Sequence, residues 1–114
     1  MSKAIFSLNG RVWVETADEK ILGRGRVELL ERIQASGSIR QAALQMKMSY
    51  KQAWDLVNHM NDRFGQPLVI SHRGGKGGGN AVITDHGLKV ISHFRTLEQK
   101  LQEFLIQNTQ NLTL

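Results

Sequence analysis

Two stretches of the 114-residue chain hold residue types at spacings that can act on a ligand. The first is Gly74-Gly75-Lys76-Gly77-Gly78-Gly79-Asn80, preceded by Arg73. Five glycines around one lysine cannot build a core element. Glycine lets a backbone approach a ligand closely, so amides flanked by Arg73 and Lys76 suit a sugar–phosphate backbone. The stretch is not a Walker loop, because Gly77 follows Lys76 and the G-x-x-x-x-G spacing is missing. Nor is it a dinucleotide fingerprint, since the chain beyond it reads as a strand. A hairpin loop without a ligand is the competing reading. The second stretch is Ser49-Tyr50-Lys51-Gln52, followed by Asp55 and His59. Glutamine can pair with adenine, and lysine can reach guanine or phosphate. A helix opening at Ser49 would also turn its N-terminus toward a phosphate.

Other chemistry finds little support. Cysteine is absent, which excludes a disulfide scaffold, a thiolate metal site and a cysteine nucleophile. His86 and His93 stand seven apart on one expected helix, about two turns, too far to share a metal unaided. His59 and His72 have no carboxylate pair or activated nucleophile near them in sequence. An enzyme is therefore not expected, and no metal or cofactor is called for. The net charge of +5 is uneven. Residues 38–80 hold Arg40, Lys47, Lys51, Arg63, Arg73 and Lys76 against Asp55 and Asp62. The rest of the chain is nearly balanced. This surplus is either a solvated face or a surface for nucleic acid. No run approaches the roughly 18 apolar residues of a membrane span, and the expectation is a soluble, cytoplasmic chain forming one domain over 1–114.

The elements that must carry these residues follow from periodicity. Residues 4–22 read as β structure, closed either at Asn9-Gly10 or at Ala17-Asp18-Glu19-Lys20. A helix is expected from about Arg26 to Ala35, with Val27, Leu29, Leu30 and Ile33 as its stripe and Gly37 near its C-cap. Ser38 and Ser49 read as N-caps of two short helices joined by a tight turn. Ile39, Ala42, Ala43 and Met46 fall at i, i+3, i+4, i+7, as do Ala53, Leu56, Val57 and Met60. The small residues allow close helix packing, and Trp13 and Trp54 are expected in the core. This leaves Tyr50, Lys51, Gln52, Asp55 and His59 facing outward. Gly65 and Pro67 end the second helix, and residues 68–84 read as a hairpin around the glycine loop. Thr84 would cap a final helix over 85–107, where Val90, Phe94, Leu97, Leu101 and Phe104 keep a 4-3-4-3 rhythm suited to pairing two copies. The same face could instead pack on the chain's own core. Residues 107–114 are polar and expected to fray.

The fold class expected is mainly α with small β-hairpins: a winged helix-turn-helix, with the helix pair at 38–64, the wing at 68–84 and a long C-terminal dimerisation helix. Several stretches resemble the N-terminal domain of ModE-type molybdate-responsive transcription regulators. They are Gly25-Arg26-Val27-Glu28-Leu29-Leu30, Gly37-Ser38-Ile39 with Ala42-Ala43, Met48-Ser49-Tyr50-Lys51-Gln52-Ala53-Trp54 through Met60-Asn61, and the glycine loop with Thr84 and Gly87. The resemblance covers about residues 11–100. The Gly-Ser-Ile and Ala-Ala pieces are also similar to LysR-type regulators. The resemblance implies a dimeric winged-helix regulator that binds DNA, with its recognition helix at Ser49–Asn61. Full-length family members continue into a molybdate-binding sensor domain, for which this 114-residue sequence has no counterpart. Molybdate sensing is therefore not expected. The DNA-facing set is Arg40, Lys47, Ser49, Tyr50, Lys51, Gln52, Asp55, Arg73, Gly75, Lys76, Gly77, Gly78 and Asn80. The expected partners are a pseudo-palindromic DNA duplex and a second copy of the chain. The alternative is a protein-interaction module on the same fold.

Overall fold

A computed structural model describes residues 5–72 and 80–114. The first hairpin pairs β1 (Val14–Glu15) with β2 (Lys20–Leu22). Its turn closes through Thr16 N–H donating to the Glu19 carbonyl at 2.9 Å. Asn9-Gly10 therefore closes no hairpin. Residues 5–13 instead run without strand pairing to the distal end of the last helix, where the Leu8 amide donates to Thr109 Oγ1 at 2.8 Å. Trp13, just ahead of β1, is 48% exposed, which corrects its expected place in the core. Its indole donates to Glu15 Oε2 and the Lys20 ammonium sits over its ring.

Helix α1 (Arg24–Ser36) begins two residues earlier than expected and buries Val27, Leu29, Leu30 and Ile33. Gly37 ends it with φ +71°, a left-handed conformation that glycine adopts at little cost. Helices α2 (Ile39–Gln45) and α3 (Tyr50–Arg63) open on Ser38 and Ser49. Each serine hydroxyl accepts the third amide of its helix, from Gln41 and Gln52. Ala42, Ala43 and Ala53 are buried, so the two backbones approach closely. The connection between them is a Schellman turn. Met48 N–H donates to the Ala43 carbonyl and Lys47 N–H to that of Leu44, with Lys47 left-handed at φ +57°.

The wing hairpin pairs β3 (Val69–His72) with β4 (Asn80–Ile83), in register Val69↔Ile83 through His72↔Asn80. Val69, Ala81 and Ile83 face the core, while Ile70, His72, Asn80 and Val82 are exposed. The last helix, α4 (Asp85–Gln110), is capped by Thr84, whose hydroxyl accepts from Gly87 N–H. It runs three residues past the expected 107.

Three elements meet at Leu68, which is fully buried. Its amide donates to Asn61 Oδ1 at the end of α3, and Val69 N–H donates to the same oxygen. Asn61 Nδ2 donates back to the Val69 carbonyl. The Leu68 carbonyl accepts from Thr84 N–H at the head of α4. Gly87 lies against that carbonyl, and a Cβ there would sit 2.5 Å from the oxygen and 2.7 Å from Ile83 Cγ2. Gly87→Ala is therefore expected to cost about 2 kcal/mol, within the range of overpacked cores. A urea titration should show a lower midpoint at unchanged slope.

Candidate nucleic-acid interface

The candidate surface is built on the N-terminal half of α3. Ala53, Val57 and Met60 are buried on the inner face of that helix, so Tyr50, Lys51, Gln52 and Asp55 come out on the opposite, exposed face. The Ser49 cap fixes where the helix begins and leaves its first turn at the surface. Lys51 Nζ donates to Asp55 Oδ2 at 2.8 Å, one turn along the helix. That carboxylate holds the ammonium above its ordinary pKa and limits its rotamers. Tyr50 is placed by its neighbours. The Arg40 guanidinium of α2 lies 5.0 Å over its ring, and Trp54 meets it edge-on at 6.1 Å. Tyr50 thus packs on the turn, joining α2 to α3, while 43% of it stays exposed. Trp54 is half-buried and packs against the core.

Arg40 and Lys47 are both exposed, on α2 and in the turn ahead of α3. Asn80 is exposed at the start of β4, paired with His72. Arg73, Gly75, Lys76, Gly77 and Gly78 lie outside the described residues.

His59 is a correction. It does not face outward with Lys51 and Asp55 but is half-buried between α3, α1 and the first hairpin. Its Nδ1 accepts from Arg26 Nη1 at 2.7 Å, because a guanidinium can only donate. Its Nε2 lies 3.1 Å from Glu19 Oε2. Arg63 also donates to Glu19. The two donors, Arg63 first and His59 second, hold the Glu19 carboxyl below the usual carboxylate range. Sequence reasoning missed this cluster because its members are up to 44 residues apart and share no local pattern. It missed the Asn61 clamp because that side chain binds backbone groups of Leu68 and Val69, which no residue pattern announces.

The heptad on α4 divides. Phe94 is 1% exposed and belongs to the chain's own core, and Val90 packs against that core. Burying a phenylalanine stabilises by about 2–3 kcal/mol, so Phe94 is not held in reserve for a partner. Leu97 and Phe104 are exposed at 38% and 59%, with half-buried Leu101 between them. No helix is long and apolar enough to cross a membrane, and among the described residues no cluster of His, Asp and Glu could hold a metal.

Comparison with known proteins agrees with this architecture. The model of bacterial regulatory helix-turn-helix proteins of the lysR family matches residues 25–88. The molybdenum transport protein ModE of Azotobacter vinelandii is 36% identical over 102 residues, covering 90% of this chain and 38% of that protein. The molybdenum-pterin-binding protein MopA of Rhodobacter capsulatus is 44% identical over 84 residues, 74% of this chain and 32% of its own length. The DNA-binding transcriptional dual regulator ModE of Escherichia coli K12 is 45% identical over 78 residues, 68% of this chain and 30% of the regulator. The chain thus spans about a third of the length of these relatives. Among solved structures, a LysR family transcriptional regulator aligns with a TM-score of 0.53 at 17% identity, over 68% of this chain and 25% of that one. The MepR–DNA complex of S. aureus aligns at 0.56 and 14% identity, over 75% and 63%. These two likenesses establish a winged-helix fold. The chain belongs to the lysR family of bacterial regulatory helix-turn-helix proteins and is similar, over its helix-turn-helix and wing, to ModE-type regulators.

Proposed function

We propose that this chain is a single winged-helix unit that binds a specific DNA duplex as a homodimer and regulates transcription. The observation that carries the reading is the division of α3 into a buried apolar face and an exposed Tyr50–Asp55 face, with Arg40 and Lys47 beside it. In this reading the N-terminal half of α3 enters the major groove. Gln52 reads a base edge, Lys51 reaches guanine or phosphate, and Asp55 keeps Lys51 aimed. Asp55 can also accept from cytosine N4. Arg40, Lys47 and Ser49 contact the backbone, and Tyr50 supports Arg40 while offering its hydroxyl to a phosphate. The wing, with Asn80, Arg73, Lys76 and the glycines Gly75, Gly77 and Gly78, follows the neighbouring backbone or minor groove.

Lys47 adds a second line of support. Its left-handed backbone costs an ordinary residue about 1–2 kcal/mol that glycine would avoid. A lysine kept at that cost, on the surface beside α3, is explained by a contact its ammonium makes. The distal heptad residues Leu97, Leu101 and Phe104 pair two copies, placing two recognition helices roughly 34 Å apart on a pseudo-palindrome. No catalytic role is assigned to any residue. Molybdenum enters the names of the relatives, and no residue described here is proposed to bind it.

Substitutions and binding measurements test this reading. Lys47→Gly should leave stability unchanged or raise it by up to about 1 kcal/mol in urea unfolding, while DNA affinity falls. Lys76→Ala should weaken binding to every duplex alike and lower the salt slope by about one, whereas Gln52→Ala should relax preference at one base step. If random duplexes show no salt-dependent binding at all, the chain acts as a protein-interaction module instead. Phe104→Asp should convert a dimer to a monomer in sedimentation at unchanged helical content, and a wild-type monomer at high micromolar concentration would remove the pairing.

A further inference from the structure

Helix α4 belongs to the winged-helix body only over its first half. Gly87, Ile91 and Phe94 are its buried residues, and beyond Phe94 every position is at least partly exposed. The remaining sixteen residues, Arg95–Gln110, extend about 24 Å and help to draw the molecule out to 66 × 30 × 24 Å. Among the described residues, two sets of polar contacts join this distal half to anything else. One is the bond from Leu8 to Thr109, which engages only the unpaired N-terminal segment. The other is an ion cluster on α1. Arg95 donates to both carboxylate oxygens of Glu31, through Nη2 and Nε, and to Glu98 through Nη1. Glu98 in turn lies 3.5 Å from Arg24 Nε. The two carboxylates, Glu31 first, hold the guanidinium above its ordinary pKa, so it is charged at every pH at which the protein folds.

We infer that Arg95, braced on Glu31, sets the angle at which α4 leaves the body and so the half-site spacing that the dimer accepts. The inference rests on the dimeric reading above. A two-pronged guanidinium–carboxylate pair fixes direction as well as distance, which a single ammonium contact would not. With the distal halves paired, each body pivots where α4 leaves its core. Even a rotation of about 10° shifts a surface some tens of ångströms from the pivot by several ångströms, comparable with one base-pair step of roughly 3.4 Å. Loosening the brace therefore changes spacing before it changes anything at the base edges. The polar contacts of Arg95 go to Glu31 and Glu98 and none goes to the α3 face, so it is a positioning residue.

The test is selection from a random duplex pool, run in parallel with the wild-type chain, Arg95→Met and Glu31→Gln. The wild type should enrich two half-sites at one spacing. Both variants, folded and dimeric by circular dichroism and sedimentation, should enrich the same half-site at spacings spread or shifted by one base pair or more. One unchanged spacing in both variants overturns the inference and leaves the dimeric reading intact. Loss of the dimer in the variants also overturns it, because Arg95 would then act on pairing. A wild-type chain that enriches only single half-sites overturns the dimeric reading and this inference with it.

Discussion

The structure turns on one residue whose backbone is spoken for on both sides. Leu68 gives its amide to Asn61 and its carbonyl to Thr84, and its side chain is fully buried. Helix α3, the wing and the long helix therefore share a joint a few ångströms across. A buried backbone amide or carbonyl left without a partner costs about 1–3 kcal/mol, so none of the three can swing away without exposing or orphaning these groups. A second tie, Ala81 N–H to the Gly37 carbonyl, fastens the wing to the turn between α1 and α2. The proposed placement of α3 in one groove and the wing on the next would need that kind of fixed relation.

Electrostatics follow the same division of labour. The first hairpin and the far side of α3 are tied through Glu19, His59, Arg63 and Arg26. At the base of α4, Arg95 and Arg24 balance Glu31 and Glu98. These pairs consume acidic groups away from the exposed Tyr50–Asp55 face. Around that face Arg40 and Lys47 lie beside a single carboxylate, Asp55, and that one is engaged with Lys51. Of the basic residues in 38–80, Arg63 is spent on Glu19, while Arg40 and Lys47 stay exposed beside α3.

Local chemistry made much of the fold legible. Ser38, Ser49 and Thr84 each cap the helix their type and position announced, and the alanine spacing marked where α2 and α3 touch. Asn9-Gly10 has the residues of a tight turn, yet no strands flank it because the segment lies along α4 instead. The heptad could not reveal its own division, since the same 4-3-4-3 rhythm describes a core stripe at Phe94 and an exposed one at Phe104. His59 and Arg95 were illegible as joints because Arg26, Glu19 and Glu31 are distant in sequence, and Asn61 because its partners are backbone groups across the turn at residues 65–67, of which periodicity carries no record. The exposed residues Tyr50, Lys51, Gln52 and Asp55 on α3 stood out because an N-cap and a buried stripe together fix a helix's phase, and phase decides which side chains are left outside.

The central claim is that α3 and the wing of two paired chains present one continuous DNA surface. Hydroxyl-radical footprinting of the chain on a duplex enriched from a random pool tests it most directly. The account predicts two symmetric protected patches centred about one helical turn, roughly 34 Å, apart, each with a flanking protection from the wing. A single unflanked patch, or uniform protection along the duplex, would contradict it.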